Sequence, residues 1–532
     1  MVATYILIIA IIILICLVLT KVSSKLGMPM LLAFILLGMV FGSDGIFRIY
    51  FDDYEVAEKI CSFALIFIMF YGGFGTNKET AQPVMVKAVL LSSIGVFLTA
   101  ISTGFFCYIV LGISFWESML IGSVISSTDA ASVFSILRSK QINLKDNTAP
   151  MLEVESGSND PCSYMLTIAV LSIMNGSKSG WQLIAMLFLQ FIFGILFGVI
   201  TAIVAIIVIN RMKYAKSGVD STFVFSVALI SFAGSSMIGG NGYLSTYITG
   251  FILGNRSFYN KKSLVHFFDG ITMLMQMLIF FLLGLLSFPS QLPNIMGSAL
   301  AIALFLTFIS RPLSVFAVLS PFRCSLQQKV LVSWSGIRGA ASIVFAIMAT
   351  IHPAYLKQDI FHMVFFIVLF SITIQGTLLP FVAKKLHMID ENSNVMKTFS
   401  DYSDEIPIQF VKISITENHP WIETKIKDIA LLPELLLVLI IRESERIVPN
   451  GDTTLMQGDV LVLSAFSLDE EMEGYLTEMP INQHKEWIGR SLEEINMKEE
   501  TLIAVIKRND EVIIPNGQTI VKENDIFVIS HI

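Results

Sequence analysis

The chain has 532 residues, of which 54% are hydrophobic and only 14% charged, a balance that excludes an ordinary soluble protein and points to the bilayer. Its charge is divided: residues 388–532 carry 27 Asp and Glu against 12 Lys and Arg, a net of −15, while the preceding part is +8. An acidic tail on a basic apolar unit excludes nucleic acid as a partner.

A bilayer core roughly 30 Å thick needs about 20 apolar residues per spanning helix, and such runs recur from Ala3 to Thr377 and stop after Lys385. The first, Ala3 to Leu19, has no basic residue before it, ends in Lys21 and Lys25 and lacks an A-x-A cleavage pattern, so it reads as a membrane anchor. The pattern predicts 13 hydrophobic segments, at about 3–20, 28–42, 60–73, 84–110, 117–137, 150–175, 181–209, 221–238, 243–255, 268–286, 295–320, 328–350 and 358–380. Alternate loops beginning after the first segment hold 17 Lys and Arg and the opposite loops four, Arg48, Lys59, Lys178 and Lys357. Basic residues collect on the cytoplasmic side, so this asymmetry predicts a cell-membrane, multi-pass protein with its N-terminus outside and its tail in the cytoplasm. Cys16, Cys61, Cys107 and Cys162 fall in apolar segments and Cys324 in a basic loop, without metal-ligand spacing, which makes them packing residues.

A charge deep in a bilayer costs several kcal/mol unless it faces a partner or water, so each one is a functional candidate. In chain order these are Asp129 in SSTDAAS (Ser126 to Ser132), Glu155 and Asp160 with Asn159 in ESGSND (Glu155 to Asp160), Arg311 and Arg338. Three carboxylates against two guanidiniums leave one acid without a permanent partner, free to exchange a cation for a proton. Glu155 and Asn159 share a helix face, with Ser156 and Asp160 beside them. Ser126, Ser127 and Thr128 precede Asp129 with hydroxyls that can satisfy freed carbonyls, so an interrupted helix is expected there. Hydroxyl and backbone oxygens with one or two carboxylates are the hard ligands a small monovalent cation needs; transition-metal chemistry is not indicated. Arg311 reads as a packing or snorkelling residue, a possible second buried base. His352 and His362 fall near the outer face as ordinary side chains, with pH sensing as the alternative role.

SSTDAAS in the fifth segment has a counterpart of opposite direction in the twelfth, SGIRGAAS (Ser335 to Ser342), with Arg338 in the place of Asp129. Paired broken helices are the mark of an inverted-repeat transporter, and an acid at positive half-helix ends with a base at negative ends would neutralise both breaks. Past the last segment a shift of 66 residues superimposes Trp421-Ile422 on Trp487-Ile488, Pro449-Asn450-Gly451 on Pro515-Asn516-Gly517 and Asp459 on Asp525. Each copy predicts an apolar strand (Leu435 to Ile441, Leu502 to Ile506), a Pro-Asn-Gly turn and an alternating strand (Val460 to Ser464, Ile526 to Ser530), the acidic stretch Asp469 to Glu473 linking the copies. The expected organisation is therefore an all-α polytopic membrane domain over 1–385, with about 13 spanning helices, inverted repeats and two broken crossing helices. A linker (386–404) and a small α+β cytoplasmic tail of two modules (405–468 and 469–532) complete the chain.

SSTDAASVFSIL, VESGSNDP and WSGIRGAASIVFA, in this order, resemble the NhaP-type cation/proton antiporters, monovalent-cation exchangers that include potassium/proton antiporters; the resemblance covers residues 1 to 385. It implies 13 helices, a homodimer in membrane lipid, and a six-helix core in which helices five and twelve cross as broken helices. By position Asp160 is similar to the carboxylate that alternates between proton and cation, with Thr128, Asp129, Glu155 and Ser156 around the ion. Asn159 stands where electrogenic relatives have a second Asp, which implies one-for-one, electroneutral exchange of K+ or Na+ for H+. Arg338 resembles the arginine that pairs with the glutamate, here Glu155. The family's third helix often ends in an acid before Gly-Gly, whereas this chain has Tyr71 before Gly72-Gly73. The tail modules resemble TrkA-C or RCK-C regulatory domains, which implies dimerisation and a small ligand such as a cyclic dinucleotide or nucleotide; no G-x-G-x-x-G segment precedes them.

Two other classes compete. An intramembrane aspartyl protease would use Asp129 and Asp160, but wants G-x-G-D where this chain reads Gly157-Ser158-Asn159-Asp160. A ligand-gated cation channel would use the tail equally well, but no T-V-G-Y-G-like filter segment is present.

Overall fold

The structure, a computed structural model, describes residues 2–26, 29–140, 142–176, 180–212, 217–256, 261–354 and 357–390, and in the tail 408–416, 419–429, 436–442, 445–466, 476–481, 487–495, 501–508, 511–513, 515–523 and 525–531. Most of the linker (391–404) and the acidic stretch Asp469 to Glu473 lie outside the described residues. The chain divides into two compact units, Met1–Tyr402 and Ser403–Ile532.

The first unit is all helical. Each hydrophobic segment lies on a helix or on a pair of consecutive helices, and seven among the described residues are long and apolar enough to cross a bilayer unaided. Where the backbones must come close the contact residues are small. A Cβ on Gly38 would run into the Phe281 carbonyl and one on Gly284 into the Ile35 carbonyl, which locks helix Met30–Phe41 against Lys261–Leu286. Gly73 and Gly250 meet the Tyr247 and Phe70 carbonyls in the same way and fasten Tyr54–Gly75 to Gly242–Gly254. These two seams hold Tyr54–Gly75 and Lys261–Leu286 as a fixed wall.

The fifth and twelfth segments are broken as expected. Phe115–Val124 and Ala130–Ser139 are separated by five residues, with the same gap between Leu326–Trp334 and Ala340–Ile351. Three other helices, Met85–Val110, Ile295–Phe322 and Ile360–Lys385, each contain one π-helical stretch, at Leu91–Gly95, Leu306–Ser310 and Ser371–Gly376. A π turn adds a residue to the turn and rotates the side chains beyond it to a new face; here it re-aims Arg311 and Ser371. Lys145 N–H donates to the Met388 carbonyl at 2.9 Å and Leu144 bridges Ile389. The start of Thr148–Met174 and the end of Ile360–Lys385 therefore share one side of the unit.

The tail unit holds two four-stranded antiparallel sheets, ordered β1 (Ile408–Ser414), β4 (Val460–Phe466), β2 (Leu436–Arg442), β3 (Glu445–Ile447), and β5 (Leu476–Pro480), β8 (Ile526–His531), β6 (Thr501–Arg508), β7 (Glu511–Ile513). The 66-residue repeat extends to single atoms. Arg442 Nε donates to Asp459 Oδ1 and Arg508 Nε to Asp525 Oδ1, both at 2.7 Å, and the strand bulges fall at Leu437/Leu439 and Ile503/Val505. The predicted hairpin differs in one respect, because β3 and β7 intervene between the apolar strand and the Pro-Asn-Gly turn. Among the described tail residues the helical turns are 3₁₀ segments such as Ile426–Asp428 and Leu492–Glu494.

The Arg442 guanidinium holds the Asp459 carboxyl below the usual carboxylate range. Burial pushes Asp525 the other way, but hydrogen bonds from Arg508 and the Lys522 N–H outweigh it and its value is also lowered. A lowered folded value stabilises fully above the unfolded value of about 4, and that stabilisation disappears as pH falls through the folded one. The modules should therefore hold through neutral and mildly acidic pH and loosen only below about 4. Because Asp459 is wholly buried, Arg442→Met strands a carboxylate; we expect a loss of about 3 kcal/mol in that module, read as faster amide exchange in β2 and β4 while β6 and β8 are unchanged.

Candidate functional site

The two helix breaks cross each other. The Asp129 N–H donates to the Ile337 carbonyl at 2.8 Å, and the Ser127 and Ser342 hydroxyls meet at 3.2 Å. Asp129 stands just before Ala130–Ser139 and accepts from Ser132 Oγ at 2.6 Å, so an anion sits at a positive helix end. At the opposite pole Arg338 Nη1 donates to the Ser126 and Ser127 carbonyls at 2.8 and 2.5 Å. These are carbonyls released where Phe115–Val124 ends. The Arg338 backbone N–H donates to Ser371 Oγ at 3.0 Å, at the start of the π turn. Gly339 makes the crossing possible: a Cβ there would overlap the Asp129 carboxylate. Gly339→Ala is expected to cost about 2 kcal/mol by overpacking, measured as a lowered melting temperature of the purified protein.

Helix Thr148–Met174 is stitched to the fifth-segment break. Ser156 Oγ donates to the Thr128 carbonyl at 2.7 Å, Asn159 Nδ2 to Thr128 Oγ1 at 2.6 Å and Ser163 Oγ to the Ser123 carbonyl at 2.6 Å. Thr128, Asp129, Ser156, Asn159 and Asp160 are thus brought together, with Glu155 and both arginines in the adjoining layer.

The ion pair differs from the one expected. Glu155 lies 2.5 Å from Arg311, not in a salt bridge with Arg338, and both partners are buried, at 1% and 3% exposed. Arg311 is therefore neither a snorkelling nor a packing residue. The π turn Leu306–Ser310 aims it inward, and Gly336 in the twelfth-segment break leaves the room its side chain occupies. Arg338 is committed to the freed carbonyls, whose negative ends claim a donor that Glu155 would otherwise have.

Asp160 is different again. It is 7% exposed, its Oδ1 has no hydrogen-bond partner among the described residues, and it lines a cavity of about 350 Å3. Pro161 comes next and cannot donate to the Gly157 carbonyl, so the helix is locally opened at the acid. Asp129, Ser156 and Gly157 line the same cavity, which lies along the N-terminal half of Thr148–Met174. One turn beyond Asp160 the space is filled by rings: Tyr164 packs on Tyr243 and Phe345 at centroid distances of 5.2 and 5.7 Å, and Phe232 on Tyr243 at 4.9 Å. The acid is reached from one side and walled on the other.

Sequence reasoning overlooked three carboxylates. Glu153 and Asp269 line the cavity with Asp160. Asp269 was hidden because its apolar run begins at 268, whereas the helix begins at Lys261. Glu153 carried a legible signal, lying three, four and seven residues before Ser156, Gly157 and Asp160 on one face. Glu117 is buried but satisfied, accepting from Ser114 Oγ at 2.7 Å and from the Lys357 and Gln358 N–H groups. His362 is likewise held, its Nε2 accepting from the Phe288 N–H at 3.1 Å and its Nδ1 lying 2.7 Å from Asp359 Oδ2.

Comparison with known proteins agrees with this geometry. Residues 9–385 match the family described as sodium/hydrogen exchanger, transmembrane, and residues 410–465 and 476–530 each match the TrkA-C domain. The chain is 32% identical over 464 residues, 86% of its length and 80% of the relative's, to a protein named K(+)/H(+) antiporter NhaP from Alkalimonas amylolytica. It is 31% identical over 450 residues, 83% and 78% of the two lengths, to K(+)/H(+) antiporter NhaP2 from Shewanella sp. (strain MR-4). Among solved structures the sodium proton antiporter MjNhaP1 from Methanocaldococcus jannaschii at pH 8 shares the fold, with a TM-score of 0.64 and 23% identity, covering 72% of this chain and 99% of that one.

Proposed function

The chain belongs to the sodium/hydrogen exchanger family, and from that premise we propose that Asp160 is the group at which K+ or Na+ and H+ alternate in one-for-one, electroneutral antiport across the cell membrane. The protein is a transporter and not an enzyme. One observation carries the reading: of the three acids legible in the sequence, Glu155 is held by Arg311 and Asp129 accepts from Ser132 at a helix start, whereas Asp160 lines a cavity and keeps an oxygen without a hydrogen-bond partner among the described residues. A carboxylate there is stabilised by a proton or by a cation, and both together would leave uncompensated positive charge in a low-dielectric site. Each therefore displaces the other.

Thr128, Ser156, Asp129 and the opened backbone at Gly157 supply hard oxygens around that carboxylate, while Asn159, held by Thr128, contributes no second charge. With one titrating acid per cycle, one cation balances one proton. The ring layer of Tyr164, Tyr243 and Phe345 favours an exchanger over a channel, which would need a continuous path past Asp160.

The loop charge asymmetry supports an N-terminus outside and a cytoplasmic tail, so the cavity opens inward. Apolar side chains turned outward, such as Leu14, Phe188 and Ile200, suit contact with lipid, and the working assembly is a homodimer. The two modules regulate transport through a small ligand, a cyclic dinucleotide or a nucleotide. The test is transport by the full chain in proteoliposomes with each alkali cation in turn: a cation gradient must drive proton movement in the opposite direction, and cation flux without proton flux would reject the reading.

A further inference from the structure

The cavity below Asp160 has a second polar wall. Helix Lys261–Leu286 presents Asp269, Thr272 and Gln276 to it, spaced by three and four residues and so on one stripe. The same cavity is lined by the Glu153 stripe of Thr148–Met174, with Glu153 about 10 Å along the helix from Asp160. Glu153 is buried, and at the outer end of the cavity the Tyr71 hydroxyl donates to Asp269 Oδ1 at 3.1 Å.

Thr272 is the telling residue. Hydroxyls in these helices habitually donate back to the carbonyl four residues earlier, as Thr99, Thr246, Thr249 and Thr350 do at 2.8 to 2.9 Å. Thr272 does not. Its hydroxyl oxygen is fully enclosed, the residue is 7% exposed, and it has no hydrogen-bond partner among the described residues, yet it lines the cavity. A buried hydroxyl left unmatched in this way is costly unless something in the cavity meets it.

We propose that Glu153 and Thr272 form a second subsite for a monovalent alkali cation, between the Tyr71–Asp269 mouth and Asp160, from which the cation is handed to the exchanging carboxylate. A carboxylate and a hydroxyl lining one cavity are hard oxygen donors for such an ion, and a carboxylate on the approach raises the local cation concentration. The subsite rests on the exchanger reading above, and it sets the cation concentration at which exchange runs without itself carrying the proton.

Proton release from the purified full-length protein on adding Na+ or K+ at fixed pH separates the two proposals. Wild type releases protons as the cation takes Asp160; wild type that releases none overturns the exchanger reading together with the subsite. Glu153→Gln is expected to need about tenfold more cation for half-release, and Thr272→Val about threefold more, with the number of protons released unchanged. Thr272→Ser, which keeps the hydroxyl, should titrate as wild type. If Glu153→Gln and Thr272→Val both titrate as wild type while Asp160→Asn releases nothing, the subsite is refuted and the exchange site stands. Loss of release in Thr272→Val would also refute it, because that result would place the hydroxyl in the exchange step itself.

Discussion

Asp160→Asn is expected to reduce cation-driven proton movement in proteoliposomes to the level of empty vesicles while the protein still folds and inserts. Asparagine keeps the shape and a carbonyl oxygen, but it neither takes up a proton at physiological pH nor offers a charge to a cation. The neighbours cannot substitute. Glu155 is neutralised by Arg311 at 2.5 Å, Asn159 donates its amide to Thr128, and Asp129 is engaged by Ser132 at the start of a half-helix. Folding should survive because Asp160 makes no salt bridge among the described residues, and removing a buried charge removes a desolvation cost. Asp160→Glu, a methylene longer, keeps the charge and should retain exchange with a changed apparent affinity.

The second large effect is on stability. Arg311→Met leaves Glu155, 1% exposed, without its guanidinium, and breaking a buried pair on one side costs about 3–5 kcal/mol because the remaining charge is stranded. Neutralising that charge as well, in Arg311→Met with Glu155→Gln, should recover most of the loss. The same cycle with Arg338 in place of Arg311 should recover little, since Arg338 serves the Ser126 and Ser127 carbonyls. Thermal melting of the four variants in each cycle distinguishes the two arginines. Stronger coupling between Glu155 and Arg338 than between Glu155 and Arg311 would contradict the observed pairing.

That pairing marks where sequence reasoning ends. The helix breaks were legible, because hydroxyls and glycines flanking Asp129 and Arg338 supply the groups an interrupted backbone needs. The tail repeat was legible even to Asp459 and Asp525, since a gapless 66-residue offset keeps the arginine and the aspartate of each module in the same register. Which arginine meets Glu155 depends on a π turn at Leu306–Ser310 and on the space above Gly336, neither of which leaves a periodic trace. The missing acid of the third helix was legible as an absence at Tyr71, but its structural answer was not: the Tyr71 hydroxyl meets a carboxylate from another helix, Asp269, at the same cavity. Glu153 and Thr272 share that history. Their spacing is ordinary on each helix alone, and only the fold places both stripes on one cavity.

The most direct test of Asp160 as the shared seat of cation and proton is to impose a K+ or Na+ gradient on proteoliposomes containing wild type or Asp160→Asn, with the membrane potential clamped at several values. The account predicts proton flux opposite to the cation in wild type, independent of the potential, and none in the variant. Proton flux that persists in Asp160→Asn, or cation flux that dissipates the gradient without protons, would contradict it.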